Sequence, residues 1–281
     1  GILLYMYIDF HVHAYPEKIA EKAVSSLEEC YVRSGIIPHA VNRGTAEELH
    51  SDLKSFGIDK AVLMPTATKP TQPHGINTWA YELINSPLNS DGRLISFGAA
   101  HPYDPDAEGE LIRVKEFGFR GIKLHPEAMG VAVNDEKCIL LCKKCAELGL
   151  AVLFHMGPDP SAGESESFSS PQMLAELLDS VKNITVIAAH MGGLGQYEDS
   201  LKYLCGRENL YFDTACTAGF IGEEMFVRMV RSHGADRILF GSDMPWHSPL
   251  QEKSMIENSK LDENEKLRIF YQNAEFLLKA T

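Results

Sequence analysis

Short apolar, β-branched runs alternate along this chain with longer stretches in which apolar residues recur every three or four positions. The short runs predict strands over 5–10, 60–64, 94–99, 121–124, 151–154, 185–189, 210–212 and 237–240. The longer stretches predict helices over 45–56, 77–85, 105–117, 135–148, 171–181, 195–205 and 222–233, with a last one over 263–279. Most of the strand runs are apolar throughout, as in Ala151-Val152-Leu153-Phe154, rather than alternating with polar residues. A strand of that kind is buried on both faces, which is the situation in a parallel sheet covered by helices. Eight βα units with right-handed crossovers close into a (β/α)8 TIM barrel of about 250 residues. The competing open, doubly wound sheet needs a glycine-rich phosphate turn after an early strand, and none follows 5–10 or 60–64. The expectation is one barrel over residues 1–281, with the segment 14–44 inserted after strand one as a lid.

Composition narrows the function classes without changing that picture. With 44% hydrophobic and 23% charged residues in 281, the chain is neither disordered nor membrane-spanning in character. A net charge of −13 would repel a phosphate backbone, which argues against nucleic acid as a partner. The apolar opening lacks a basic flank and soon meets Asp9 and His11, so it does not read as a signal peptide, and a cytoplasmic location is expected. Six cysteines in a chain of this length do not suggest a disulfide framework. Cys138, Cys142 and Cys145 share one face of a predicted helix, and without a fourth ligand nearby they read as buried packing rather than a metal site.

The chemistry is carried by residues at the strand ends. Histidines stand at the ends of strands one, three, four, five and six, as His11 and His13, His101, His125, His155 and His190, and strand eight leads into Asp243. In a barrel all these ends converge on the rim where active sites lie. His11 and His13, two apart, share a strand face at a spacing of about 7 Å. Together with His155 and Asp243 they offer four N/O donors, a set that suits zinc and leaves a position for water. Three neutral imidazoles and one carboxylate leave a divalent ion a net positive charge.

In the order Ile8-Asp9-Phe10-His11-Val12-His13, Gly118-Phe119-Arg120-Gly121-Ile122-Lys123-Leu124-His125-Pro126 and Phe240-Gly241-Ser242-Asp243-Met244-Pro245-Trp246, the whole chain resembles the amidohydrolase superfamily. Within it the resemblance is to the branch of small metal-dependent hydrolases and of decarboxylases related to aminocarboxymuconate semialdehyde decarboxylase. It implies a metal-dependent TIM barrel, one zinc-type ion on His11, His13, His155 and Asp243, and His190 either acting on water or substrate or holding a second ion. A lysine at the place of Lys123 is carboxylated in binuclear members and bridges two metals. The simpler reading keeps Lys123 as an inward-facing cation that attracts an acidic substrate, and His125, on the same face, is a substrate or second-metal candidate. Tyr15, His101 and Trp246 are candidate pocket residues.

Three functions fit these residues. The first is hydrolysis of a small amide, lactone or ester, with Asp243 as proton acceptor and His190 steadying the oxyanion. Nonoxidative decarboxylation of an unsaturated or aromatic acid is the alternative, and a binding barrel without catalysis is the third. The expected partner is a small-molecule substrate, with no nucleic acid or membrane, and a homo-oligomer is compatible with the reading.

Overall fold

The doubly buried runs do fold as parallel strands. A computed structural model describes residues 6–33, 40–159 and 167–279, so Tyr5 of the first predicted strand and part of the 14–44 insertion lie outside the described residues. The strands are β1 (Ile8–Val12), β2 (Lys60–Leu63), β3 (Leu94–Ser96), β4 (Gly98–Ala99), β5 (Gly121–Leu124), β6 (Ala151–Phe154), β7 (Val186–Ala188), β8 (Leu210–Asp213) and β9 (Ile238–Leu239). β3 and β4 are the two halves of one predicted strand, interrupted at Phe97, whose N–H still donates to Leu63 O at 3.0 Å. Every ladder is parallel, in the orders β1-β2-β3 and β4-β5-β6-β7-β8-β9. The last strand meets the first through Phe10 N–H to Phe240 O and Asp243 N–H to His11 O, both 2.8 Å. Those bonds close the (β/α)8 barrel.

Register decides what faces inward. Lys123 pairs with Leu153, Leu153 with Ile187 and Ile187 with Tyr211, so these four share the inner face. Two residues further along each strand, the same face carries His125, His155, Ala189 and Asp213 at the mouth. Below them an inner cluster of Ile8, Phe10, Val62, Phe97, Leu153, Ile187 and Leu239 fills the barrel. Ala274 joins this cluster from the last helix and seals the end where the strands begin. The larger cluster lies outside, between strands and helices. Cys138, Cys142 and Cys145 are buried within it, in keeping with packing, and burial raises the Cys145 thiol.

The helices α1 (Glu17–Arg33), α2 (Ala46–Ser55), α3 (Pro73–Ile84), α4 (Ala107–Glu116), α5 (Pro126–Met129), α6 (Glu136–Leu148), α7 (Pro171–Ser180), α8 (Tyr197–Tyr203), α9 (Glu223–His233), α10 (Pro249–Asn258), α11 (Glu263–Leu267) and α12 (Asn273–Lys279) include three that the sequence pattern left as loops. These are α1, α5 and α10. In α1, Ala20, Val24, Leu27 and Tyr31 follow steps of four, three and four, which places them on one face. The predicted final helix is divided into α11 and α12 by a π-turn over Arg268–Gln272. No described helix is long and apolar enough to cross a membrane.

Strand one is shifted from the expected 5–10. It runs on to Val12, with an irregularity in register between Asp9 and Val12, so His11 lies within the strand rather than after it.

Candidate metal centre and its cavity

The barrel mouth opens into a cavity of about 460 Å³, ample for a small molecule. His11, His13, Lys123, His125, His155 and Asp243 line its floor and sides. Tyr15, Thr66, Thr68, Asp159 and Trp246 come from the loops after the strands, and α1 adds Ala23, Ser26, Leu27 and Tyr31. The Tyr31 and Trp246 rings lie 6.2 Å apart across it. Lys123 is the one lysine or arginine among the described lining residues.

At the floor, donor atoms of His11, His13 and Asp243 all lie within 4.8 Å of one another. Asp243 Oδ1 sits 3.0 Å from His13 Nε2 and 3.4 Å from His11 Nε2. His11 is fixed in the tautomer that a metal requires. Its Nδ1–H donates to Asp213 Oδ2 at 2.8 Å, which leaves the Nε2 lone pair directed at the site, where Lys123 Nζ meets it at 3.1 Å. Burial, then the neighbouring Lys123, hold His11 well below the usual imidazole range, so it stays neutral and able to ligate. Burial opposes ionisation of Asp243, but the hydrogen bond from His13 and the surrounding imidazoles outweigh it and keep the carboxyl well below its ordinary range. These residues fit a divalent cation. Two nitrogens and a carboxylate oxygen converge, and a carboxylate orients one of the imidazoles from behind.

A clasp between the first and last strands holds this geometry. Asp9, fully buried, accepts from the His11 N–H at 3.2 Å and from the Ser242 N–H at 2.9 Å with the same oxygen. Ser242 Oγ in turn accepts from Met244 N–H, and Met244 O receives His13 N–H at 2.7 Å. Asp243 is left in the left-handed region at φ 69°, where a side chain other than glycine's is disfavoured. The bonds on either side impose that conformation and aim its carboxylate at the two histidines. Burial pushes the Asp9 carboxyl up to about 7.

Asp213 does similar service on the far side. Besides His11, it receives the N–H groups of His190 and Ala215 at 2.9 and 3.0 Å. His190 also adopts a left-handed conformation, φ 58°, and its Nδ1–H donates to Ala215 O at 2.7 Å. Nε2 is thereby turned toward the site, 3.1 Å from His155 Nδ1.

The sequence set is only partly gathered. His155 faces the cavity, but its Nε2 lies 3.1 Å from Gly157 O, and its ring groups with His125 and Asp159 rather than with His11, His13 and Asp243. Gly157 has φ 90°, and a Cβ there would come within 2.5 Å of Leu194 N, so only glycine permits this turn. Tyr15 and Trp246 are in the wall. His101 is not; its Nδ1 accepts from Tyr103 N–H at 3.1 Å, stabilising its own turn. Lys123 is buried against His11, and burial lowers its ammonium to about 8. Sequence reading missed Asp9, Asp159 and Asp213. The spacing of Asp159, four after His155, and the place of Asp213 at the end of a strand were the available signals.

His125 and His155 stack at 4.0 Å with an interplanar angle of 7°, and Asp159 Oδ2 faces their Nε2 atoms at 3.6 and 4.0 Å. These three also fall within metal-binding distance of each other. However, His125 Nδ1 accepts from the Ala128 backbone N–H at 3.2 Å. A backbone amide can only donate, so the neutral ring keeps its proton on Nε2 and has no lone pair there for a cation.

The family model described as amidohydrolase matches residues 8–279 of this chain. A search of curated proteins by sequence found no match. Among solved structures, an uncharacterised TIM-barrel protein of Bordetella bronchiseptica is similar at a TM-score of 0.78 and 18% identity, covering 97% of this chain and 98% of that one. The 2,6-dihydroxybenzoate decarboxylase of Rhizobium matches at 0.69 and 18%, covering 98% and 99%. A dihydroxybenzoic acid decarboxylase of Polaromonas, solved with manganese and the inhibitor 2-nitroresorcinol, matches at 0.68 and 19%, covering 98% and 97%.

Proposed function

This chain belongs to the amidohydrolase family, and from that premise we propose that it is a metal-dependent nonoxidative decarboxylase of a small aromatic or unsaturated carboxylic acid. The observation that carries the reading is the cavity itself. A single buried lysine stands beside His11, His13 and Asp243 at the floor, and Tyr15, Tyr31 and Trp246 provide flat apolar walls above. A planar anion is the ligand whose chemistry matches both halves. The decarboxylases among the similar structures support this choice over hydrolysis, the reaction preferred from sequence.

We assign one divalent ion per chain to His11, His13 and Asp243, with His155 as the fourth residue from the sequence pattern. The N/O donors suit zinc, and the manganese in the Polaromonas relative makes that metal an equal candidate. When bound, the ion supplies a Lewis acid that draws electron density from the carboxylate and its neighbouring oxygen. Lys123 Nζ, still largely protonated near neutrality, offsets the substrate's charge. Helix α1, within the 14–44 insertion, serves as a roof that excludes water so that these charges act at low dielectric. As carbon dioxide leaves, its bonding electron pair stays on the ring carbon, which must gain a proton. His190 and Asp243 are the groups assigned to move it, with His190 Nε2 as the atom turned toward the site.

Hydrolysis remains the second reading, favoured by one observation: the Asp243 carboxylate stands at the cavity floor within 3.4 Å of His11 Nε2 and 3.0 Å of His13 Nε2, where it would meet a water activated by an ion held there. Protein reconstituted with zinc or with manganese, incubated separately with 2,6-dihydroxybenzoate and with a panel of lactones and amides, separates the two. The expected result is carbon dioxide release from the aromatic acid with about one metal ion per chain by elemental analysis. Acid release from a lactone without carbon dioxide from any aromatic acid would replace the first reading by the second.

A further inference from the structure

The cavity wall beside β2 is made from a stretch of chain that has left the sheet. Parallel strands exchange evenly spaced bonds, each strand offering its groups to a given neighbour at every second residue. Ala61 N–H donates to Arg93 O and Phe97 N–H to Leu63 O, so the next rung in this register would run from the N–H of residue 65 to Phe97 O. Residue 65 is Pro65, which has no N–H to give. The ladder stops there, and the Ser96 hydroxyl donates to the stranded Phe97 O at 2.7 Å. The chain beyond Pro65 turns off, and Thr66 and Thr68 line the cavity.

That departure takes away the rung that residues 65 and 67 would have made to Ala99 in β4, yet Ala99 is fully buried and its backbone groups need partners. Asn77 of α3, also fully buried, provides them. Its Oδ1 accepts from Ala99 N–H at 2.6 Å, and its Nδ2 donates to Ala99 O at 2.9 Å. The second amide hydrogen goes to Glu110 Oε1 at 2.8 Å, and Arg113 donates to the same oxygen at 2.8 Å. A flipped carboxamide would set donor against donor at Ala99 and acceptor against acceptor at Glu110, so the orientation is fixed. On its other side Ala99 is paired with Lys123. We propose that Asn77 is a positioning residue of the cavity: its carboxamide replaces the rung lost at Pro65, which keeps β4 fixed beside Lys123 while residues 65–68 are released to form the wall. The inference rests on the reading of this cavity as the ligand site and adds what holds two of its sides in place.

Amide hydrogen exchange and steady-state kinetics on manganese-loaded wild type, Asn77→Ala and Glu110→Ala test it, with 2,6-dihydroxybenzoate as the probe. In Asn77→Ala the Ala99 amide should exchange about tenfold faster or more. KM should rise about tenfold with kcat changed by no more than about twofold, because Lys123 and the two threonines hold ligand without moving its proton. Glu110→Ala leaves the carboxamide in place but free to turn, so both quantities should move the same way by about threefold, and this variant decides the matter if Asn77→Ala does not fold. A merely structural role would lower kcat with the folded fraction and leave KM alone. That result, or an Ala99 amide indifferent to the replacements, would overturn the proposal. Faster exchange at Ala99 in protein that releases no carbon dioxide from 2,6-dihydroxybenzoate would sink the decarboxylase reading and leave the rung standing; release with exchange unchanged would do the reverse.

Discussion

Asp243 combines a ligand's position with a strained backbone, and it offers the most informative single replacement. Asp243→Asn keeps the shape but removes the charge, so turnover should fall by about 10²-fold or more even with saturating metal. Near-normal turnover in the metal-saturated variant, measured on whichever substrate is found, would remove it from the proton path. Asp213 acts through others. Asp213→Asn weakens the bond that holds His11 in its ligating tautomer and should lower metal affinity by about 10- to 100-fold, read by competition with a chromophoric chelator. Unchanged affinity would mean that Lys123 and packing orient His11 unaided. The histidines were legible in the sequence because each lies in or just after an apolar strand run, and the strand fixes where the residues at its end go. Asp9, Asp159 and Asp213 were not, since one carboxylate near a strand resembles another until the hydrogen bonds from Ser242, His11 and His190 distinguish it. The ring orientation of His155 was equally out of reach, because a neighbour 35 residues away decides it.

Elements carry the site because loops from different strands are tied together. Asp9 joins β1 to the turn after β9. Asp9→Ala would leave two buried N–H groups without that acceptor, at a cost of about 1–3 kcal/mol, whereas Asp9→Asn keeps an acceptor and should cost less. Thermal unfolding of the two variants checks the order, and equal midpoints would show that the clasp contributes nothing. Glu252 in α10 plays a comparable part for the loop after β8, accepting from Ala218 N–H at 3.0 Å, with His247 3.4 Å away. Burial raises its carboxyl from 4.5 to about 7. Its contribution to stability is therefore full below about pH 4.5 and is lost as pH rises to about 7, because the unfolded chain releases the proton first. The stability difference between wild type and Glu252→Gln should shift against the wild type across that window, and a difference independent of pH would refute the assignment. The alternation of strands and helices was legible since burial on both faces leaves no polar positions. Helix α1 was hidden by an assumption that an insertion is a loop, although Ala20, Val24, Leu27 and Tyr31 already had helical spacing. The split of the third strand at Phe97 and the shift of the first could not be read, because interruptions in a ladder depend on the neighbouring strand.

At the scale of the whole molecule, the proposed ion sits on the seam of the barrel. His13 and Asp243 are separated by 230 residues of sequence and come from the first and last strands, which close the cylinder through a few backbone bonds. A cation shared by them is a cross-link around the longest loop that this topology contains, and loop closure is costly in entropy. Binding that occurs only in the closed form must raise the unfolding temperature with metal concentration, so chelation should lower the midpoint and added zinc or manganese restore it. A midpoint indifferent to metal, where elemental analysis shows the ion bound, would mean that the seam closes equally well without it. Linkage is reciprocal, so whatever strains the seam loosens the ion by the same free energy. Substitutions at the foot of the barrel, in Ala274 or the residues that α12 packs beneath the strands, are then expected to register as weakened metal affinity at a site on the opposite end of the cylinder.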